Sequence, residues 1–283
     1  MSEASGMRTR PVARVLQYAA VLGYLVFLAF PLLWLISSSL KSPREFAAIT
    51  PTLLPKNVDF SNYTNALEEQ GLVRSLGNSL QISILTTILV LIVALPVSYA
   101  LARFRSRLRP ITNGWILVSQ VFPVILIVIP LFMILRPLHL TNTIPGVVLV
   151  YLVWSLPFAL WMLQGYVAAV PRELEEAAAV DGASRIRTIV AIVMPLLRPG
   201  LIATAMFTFI SAWNEFFFAL VLLQDPELKT LPLVLARFVG AEGQVQFGPL
   251  AAASVLATVP SLVFFAFLQR RLTSGLLSGA VKG

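Results

Sequence analysis

The sequence predicts an all-α integral membrane protein with six transmembrane helices. Three observations carry that expectation. Of the 283 residues, 58% are hydrophobic and only 12% are charged, about half the charged share of water-soluble chains. The mean hydropathy is +0.84. Six apolar stretches are each long enough to cross a hydrocarbon layer of about 30 Å as a helix of about 20 residues. Runs such as Ile82–Val97 lack the in–out alternation that a membrane β-barrel requires.

The stretches fall at Gln17–Ser38, Leu80–Ala102, Trp115–Leu135, Gly146–Tyr166, Leu201–Leu223 and Leu250–Leu268. The first follows Arg8, Arg10 and Arg14. It exceeds the 7–15 apolar residues of a secretory leader and has no A-x-A site after it, so it reads as a retained span. Pro31, Pro96, Pro123, Pro130, Pro157 and Pro260 fall within spans. Each removes a backbone donor and favours a bend. Two segments between spans are long. Residues 40–78 contain Pro51, Pro55 and Asn57. Residues 224–248 contain the semi-apolar run Leu231–Val239, which reads equally as a re-entrant helix, a surface helix or a partner-facing loop. No internal repeat or low-complexity segment occurs. The expected organisation is an N-terminal segment 1–16, a first span with its external segment 17–74, a transmembrane domain 75–270 and a tail 271–283.

The net charge of +8 is read as a topology signal. With both termini in the cytoplasm, the inner segments hold Arg8, Arg10, Arg14, Arg103, Arg105, Arg107, Arg109, Arg172, Arg185, Arg187, Arg198, Arg270, Arg271 and Lys282. The outer segments hold Lys41, Arg44, Lys56, Arg74, Arg136, Lys229 and Arg237, a bias of fourteen against seven. Binding to anionic lipid head groups follows, and nucleic acid is not needed to explain the charge. The chain has no cysteine and one histidine, His139, which excludes disulfides, thiolate catalysis and Cys- or His-rich metal sites. His139 is most simply an interfacial residue. There is no G-x-x-x-x-G-K-[ST] phosphate loop and no Gly-Lys pair, so no nucleotide site is expected in this chain. No nucleophile–base pair supports an enzyme.

The longest inner loop, about 169–199, differs from the rest. Pro171 suits the start of a helix. Glu173, Glu175 and Glu176 favour a helix N-terminus, and Ala177, Ala178 and Ala179 are strong helix formers with little bulk. Asp181-Gly182 is a stop, with Gly182 able to take positive φ. Ser184 can cap a second helix whose Ile186, Ile189, Val190 and Val193 are expected to form one apolar face. Pro195 and Pro199 end it. Physics alone leaves two readings of this helix–turn–helix, a connector lying on the membrane or an element that seats in a partner.

The residues themselves are more specific. Glu175-Glu176-Ala177-Ala178, Asp181-Gly182-Ala183, Pro195 and Pro199 resemble the EAA loop of binding-protein-dependent ABC importer permeases. The likeness runs from about Ser75 to the C-terminus. Ser75-Leu76-Gly77-Asn78-Ser79 is similar to the start of that family's core region, and Trp213-Asn214-Glu215-Phe216 to the fifth-span motif of its sugar-importing branch. Gly279-Ala280-Val281-Lys282-Gly283 resembles the tail of the smaller permease of maltose-type importers. Thr188-Ile189 stands where many relatives place an aromatic. The resemblance implies a type I ABC importer permease fold in a prokaryotic plasma (inner) membrane. It implies a second homologous permease, two ATP-binding subunits and an extracytoplasmic solute-binding protein as partners. Glu175, Glu176, Ala177, Ala178, Asp181, Gly182 and Ala183 would dock on an ATPase, and Gly279–Gly283 would face the ATPase dimer. ATP and magnesium would belong to those partners, with no cofactor in this chain. The branch points to a di- or oligosaccharide cargo.

Within spans, Gln120, Gln164, Trp213, Asn214 and Glu215 are candidates for the translocation path or for interhelical polar contacts. Glu215 is the sole acid placed in a span, where a charge costs about 3 kcal/mol or more. It reads either as a structural hydrogen-bonding group or as a transport group. The competing class is an ion-coupled secondary transporter using Glu215, which would need no Glu175–Pro199 pattern. Phe216, Phe217 and Phe218 read as packing residues, and in the maltose branch sugar contacts come mainly from the other permease.

Overall fold

The computed structural model describes residues 11–68, 71–104, 108–240 and 245–280. Among them no β-strand is found beyond one isolated bridge, Val239 to Val245. The all-α expectation holds because a helix satisfies every backbone N–H and C=O within its own segment, as a bilayer demands. The chain divides into two units.

The first unit takes residues 1–68 and 238–255. Helix α1 (Pro11–Ser39) covers the expected first span and begins six residues earlier. None of the side chains in its most apolar stretch is buried. After it come α2 (Pro43–Phe46) and α3 (Ser61–Glu68). Asn62, buried on α3, donates from Nδ2 to the carbonyls of Ser39 at 3.0 Å and Lys41 at 2.8 Å. Gly248 lets this amide approach, because a Cβ there would meet the Asn62 side chain. Lys41 is buried too. Its ammonium donates to the Thr52 carbonyl and sits 4.4 Å from the centre of the Trp34 ring, where the ring's negative face attracts a cation.

The second unit takes residues 69–237 and 256–283. Helix α4 (Leu72–Arg103) starts after Gly71, at φ +64, and packs along α7 (Ile144–Ala169) and α11 (Arg198–Trp213). The buried face of α4 carries Ser75, Ser79, Ser83, Thr86 and Ser98 among its apolar residues. Small side chains let membrane helices approach closely. Between α4 and α7 lie α5 (Leu108–Val121) and α6 (Val124–Leu135). The expected third span is therefore broken. Its two halves meet at 107° at Phe122 and Pro123, where proline cannot donate the bond that would continue the first half. Thr143 caps α7 by accepting the Gly146 N–H at 3.1 Å.

The elements of the 171–199 loop are α8 (Arg172–Val180), α9 (Arg185–Thr188), a π-helical turn (Ile189–Val193) and α10 (Met194–Leu196). The stretch 185–196 meets α11 at 72°. The expected fifth span, Leu201–Leu223, is likewise two helices, α11 and α12 (Phe217–Leu222). The 16 residues of α11 rise only about 24 Å, so both pieces are needed to cross a layer of about 30 Å. The run Leu231–Val239 resolves as a short helix, α13 (Leu231–Arg237), with Leu231, Leu233 and Val234 buried. Helix α14 (Phe247–Ala280) closes the chain. Among the described residues, four helices are long and apolar enough to cross a membrane, and joining 109–121 to 124–135 and 185–196 to 198–213 as one span each gives up to six.

Candidate functional site

Apart from the tail, four places hold the residues singled out above: the 171–199 loop, the break in the fifth span, and two cavities.

In the loop, Glu173 and Glu175 occupy the first turn of α8, where free N–H groups favour carboxylates. The helix ends in a closed turn. Asp181 N–H donates to Ala177 O at 3.0 Å, Gly182 N–H to Ala179 O at 3.1 Å and Ala183 N–H to Ala178 O at 2.9 Å. Gly182 takes φ +79, a conformation that costs an L side chain about 1–2 kcal/mol. Nothing lies within 4 Å of where its Cβ would stand, so conformation, and not crowding, requires the glycine. Ser184 then caps α9, its hydroxyl accepting the Arg187 N–H at 3.4 Å.

One carboxylate anchors this hairpin to the end of α4. The Tyr99 hydroxyl donates to Glu175 Oε2 at 2.5 Å, and Arg103 Nε lies 2.6 Å from Glu175 Oε1. The side chains of Arg103 and Glu175 are only 7% and 16% exposed. Arg103 also donates to the Val170 carbonyl at 2.8 Å, and Arg172 donates to the carbonyls of Ala102 and Arg103 at 3.3 and 3.4 Å. Glu176, Ala177, Asp181 and Gly182 remain exposed, Ala183 is half-buried and Ala178 is buried. Val180 and Ile186 stand out of the surface, 89% and 75% exposed.

The expected single apolar face of the second helix is not what forms. Val193 is buried while Ile186 and Val190 point outward. The π turn at Ile189–Val193 inserts an extra residue into the helical repeat, which rotates the register. Thr188 fills the buried position instead, its hydroxyl donating to Ser184 O at 3.2 Å.

Glu215 sits in the gap between α11 and α12. Its Oε1 accepts the Phe218 N–H at 2.8 Å and its Oε2 accepts the Ala219 N–H at 3.1 Å. Both oxygens thus satisfy orphan amides at the start of α12. Asn214 donates back to the Ile210 carbonyl at 2.8 Å, and the buried Trp213 ring stacks on Phe209. These three residues build the break, and none lines either cavity. Gln120 lines a cavity of about 250 Å³ among α5, α6, α7, α11 and α12. Gln164 lines a different cleft of about 770 Å³ together with Arg109, Asn113, Trp161 and Tyr166. The structure does not bring the two glutamines together. Gly279 and Ala280 close the backbone of α14. The remaining tail candidates Val281, Lys282 and Gly283 lie outside the described residues.

Sequence reasoning missed several positions. The charge pattern marks Arg103 only as a topology residue, and nothing local marks Tyr99. Asn142 was also unmarked, although it takes φ +56 and its Oδ1 accepts the N–H groups of Gln224 and Asp225 at 3.0 and 2.9 Å. Asn78 donates to the carbonyls of Glu227 and Lys229 at 2.9 and 3.1 Å, and Ser79 accepts the Leu231 N–H at 2.8 Å. Together these pin the 224–231 loop to α4 and to the start of α7. For Asn142, in the turn before α7, an asparagine whose side chain mimics backbone is the available signal.

Comparison with known proteins bears on the family and the fold. ORF1 of Streptomyces antibioticus, whose name assigns it provisionally to the ABC transporter permeases, is 54% identical over 81% of this chain and 100% of its own length. The diacetylchitobiose uptake system permease DasC of Streptomyces coelicolor is 38% identical over 90% of this chain and 92% of its own. The trehalose/maltose transport permease MalG of Thermococcus litoralis is 33% identical over 98% and 100%. Among solved structures, a chain of a bacterial ABC transporter involved in alginate import superposes with a TM-score of 0.76 at 23% identity, covering 94% of this chain and 98% of that one, which speaks for the fold. The profile of binding-protein-dependent transport system inner membrane components matches residues 93–277. With most of its length matched, the chain belongs to that family of inner-membrane permease subunits.

Proposed function

We propose that this chain is one of two permease subunits of an ATP-driven importer whose cargo is a carbohydrate, with a di- or oligosaccharide as the expected size class. The reading of the cargo rests on the branch resemblance of Trp213–Phe216 together with relatives named for diacetylchitobiose and for trehalose and maltose. A second homologous permease would complete the path. The α1 helix, which buries none of its central side chains within this chain, offers apolar surface for lipid or for such a partner. Two ATP-binding subunits would carry ATP and magnesium, and an extracytoplasmic binding protein would deliver cargo near the 224–231 loop.

The observation that carries the reading is the division of labour in α8. Glu175 is consumed internally by Tyr99 and Arg103, while Glu176, Ala177, Asp181, Gly182, Val180 and Ile186 are left outward. An exposed hairpin with apolar knobs and an acidic rim suits a cleft in an ATPase. The carboxylate bond to α4 would pass ATPase closure to the spans as a rigid-body motion. Glu215 gives no matching support to ion coupling, since both its oxygens are taken by backbone amides.

The test is a reconstituted complex of both permeases, the ATPase and the binding protein in proteoliposomes. Glu176→Lys and Gly182→Pro are expected to abolish uptake and to weaken ATPase retention on the purified permeases. Uptake and stimulated hydrolysis at wild-type levels in both variants would overturn the coupling role.

A further inference from the structure

The cavity of about 250 Å³ in the membrane domain is built from two kinds of wall. Trp115, Trp154 and Phe207 present aromatic surface, and Gln120, Ser155 and Ser211 present polar groups. Trp154 is held edge-on against Phe218, with centroids 5.6 Å apart, and Phe207 is stacked on Phe158 at 3.7 Å. Two of the three aromatic walls are therefore held by ring contacts before anything binds. No charged side chain is among the lining residues.

The polar groups are unusual for this protein. Its helical hydroxyls mostly spend themselves on a nearby carbonyl. Ser119 donates to Ile116 O at 2.8 Å, Thr87 to Ser83 O at 2.7 Å, Thr204 to Gly200 O at 2.8 Å. That is the usual fate of Ser and Thr within a helix. Gln120, Ser155 and Ser211 have no such partner among the described residues, although Ser155 is only 8% exposed. Ser83, Thr86 and Thr208 are unpaired as well, but they are sealed in the helix packing and line no cavity. Ser155 is buried, Ser211 half-buried and Gln120 exposed, and all three border the same space.

We propose that this cavity is a subsite for one neutral pyranose ring of the cargo, contributed by this subunit itself. The chemistry of the walls matches both aspects of such a ring. Its C–H faces carry slight positive charge and pack on the negative faces of aromatic rings. Its hydroxyls both donate and accept, as do the carboxamide of Gln120 and the hydroxyls of Ser155 and Ser211. The volume falls just under the range of about 300–1,000 Å³ for drug-sized ligands, which suits a single ring of a longer sugar. The lack of charged lining residues argues for a neutral sugar over an acidic one. A lipid acyl chain is the alternative occupant, and it has no use for the three polar groups.

This proposal rests on the carbohydrate-importer reading, and the experiment separates the two. In proteoliposomes holding the complete importer, the wild type is first assayed for uptake of radiolabelled trehalose, maltose and diacetylchitobiose with their binding protein. The double variant Gln120→Leu with Ser155→Ala is then compared at saturating binding protein. The expected result is a fall in uptake of about tenfold, the factor equivalent to about 1.4 kcal/mol, while stimulation of ATP hydrolysis by the loaded binding protein persists. In parallel, a diazirine derivative of the transported sugar is photolysed on the wild-type complex and is expected to label Trp115, Trp154 or Phe207. That arm needs no variant to fold. Unchanged uptake in the double variant, the result expected of an acyl chain, overturns the subsite and leaves the importer standing. So does labelling confined to the other permease. A wild type that imports none of the sugars while its ATPase responds to a loaded binding protein overturns the carbohydrate reading and the subsite with it.

Discussion

Replacing Arg103 by alanine removes the cation that Glu175 faces. The Glu175 carboxylate would keep only the Tyr99 hydroxyl at 2.5 Å, and the Val170 carbonyl would lose its donor. Breaking a buried pair by deleting one partner costs about 3–5 kcal/mol. With Glu175 still 16% exposed, water relieves part of this, and about 3 kcal/mol is the working figure. At about 1.4 kcal/mol per tenfold, the equilibrium between docked and loosened α8 shifts by about a hundredfold. Amide hydrogen exchange reads this directly, because local opening sets exchange of the protected amides. The N–H groups of Asp181, Gly182 and Ala183, all bonded within the hairpin, are expected to exchange about a hundredfold faster, with uptake per ATP falling in parallel. The double variant Arg103→Met with Glu175→Leu is expected to recover most of the protection, because the penalty arises from a stranded charge more than from the loss of the pair. Exchange in Arg103→Ala within about threefold of the wild type, against the hundredfold expected from the same conversion, would refute the anchoring role. So would a double variant no better protected than the single one.

Three further outcomes follow from the geometry. Glu215→Gln replaces one acceptor with a donor facing an N–H, which costs about 1 kcal/mol as for a lost helix cap; uptake is expected to be largely retained, and a well-assembled but inactive variant would return Glu215 to a transport role. Asn142→Ala loses two accepted bonds of about 0.5–1.5 kcal/mol each and places alanine at φ +56, so exchange of the Gln224 and Asp225 amides should rise while that of α7 stays unchanged. Glu45 is held below the usual carboxylate range, first by the Lys56 backbone N–H that it accepts and then by Asn57 and nearby lysines. A lowered folded-state pKa means that this stabilisation is present above the ordinary pKa near 4.5 and is lost as pH falls through the folded value. A nitroxide at Leu54 should therefore gain mobility on acidification below that range, and Glu45→Gln should show high mobility at neutral pH already.

Much of the helical plan was legible because twenty-residue apolar runs and a turn with obligate glycine are local signals. Gly182 needs positive φ whatever surrounds it, and the Ala177–Ala179 run is helical on its own account. The breaks were harder. By sequence Pro123 is one bend among six prolines, yet the chain turns by 107° there, whereas Pro31, Pro96 and Pro157 lie inside continuous helices. Whether a proline breaks a helix depends on neighbours that re-satisfy the freed carbonyls, and those neighbours are distant in sequence. The outward turn of Ile186 and Val190 was hidden for a related reason. Periodicity shows where apolar residues cluster, but a single inserted residue in a π turn changes which of them face inward. The partner of Glu175 was invisible because Tyr99 and Arg103 lie more than seventy residues earlier, and nothing local ties a topology-marking arginine to one glutamate.

Helix α4 is in contact with both loops that matter. Near one end, Asn78 and Ser79 hold the 224–231 segment. Near the other, Tyr99 and Arg103 hold Glu175. The 25 positions between Asn78 and Arg103 in this unbroken helix span about 38 Å at 1.5 Å per residue. A helix of that length behaves as a push rod. Movement of the 224–231 segment can reach the α8 hairpin along one continuous element. In the importer proposed above, contact of a binding protein with the 224–231 segment would reach the ATPase-facing hairpin along this one element.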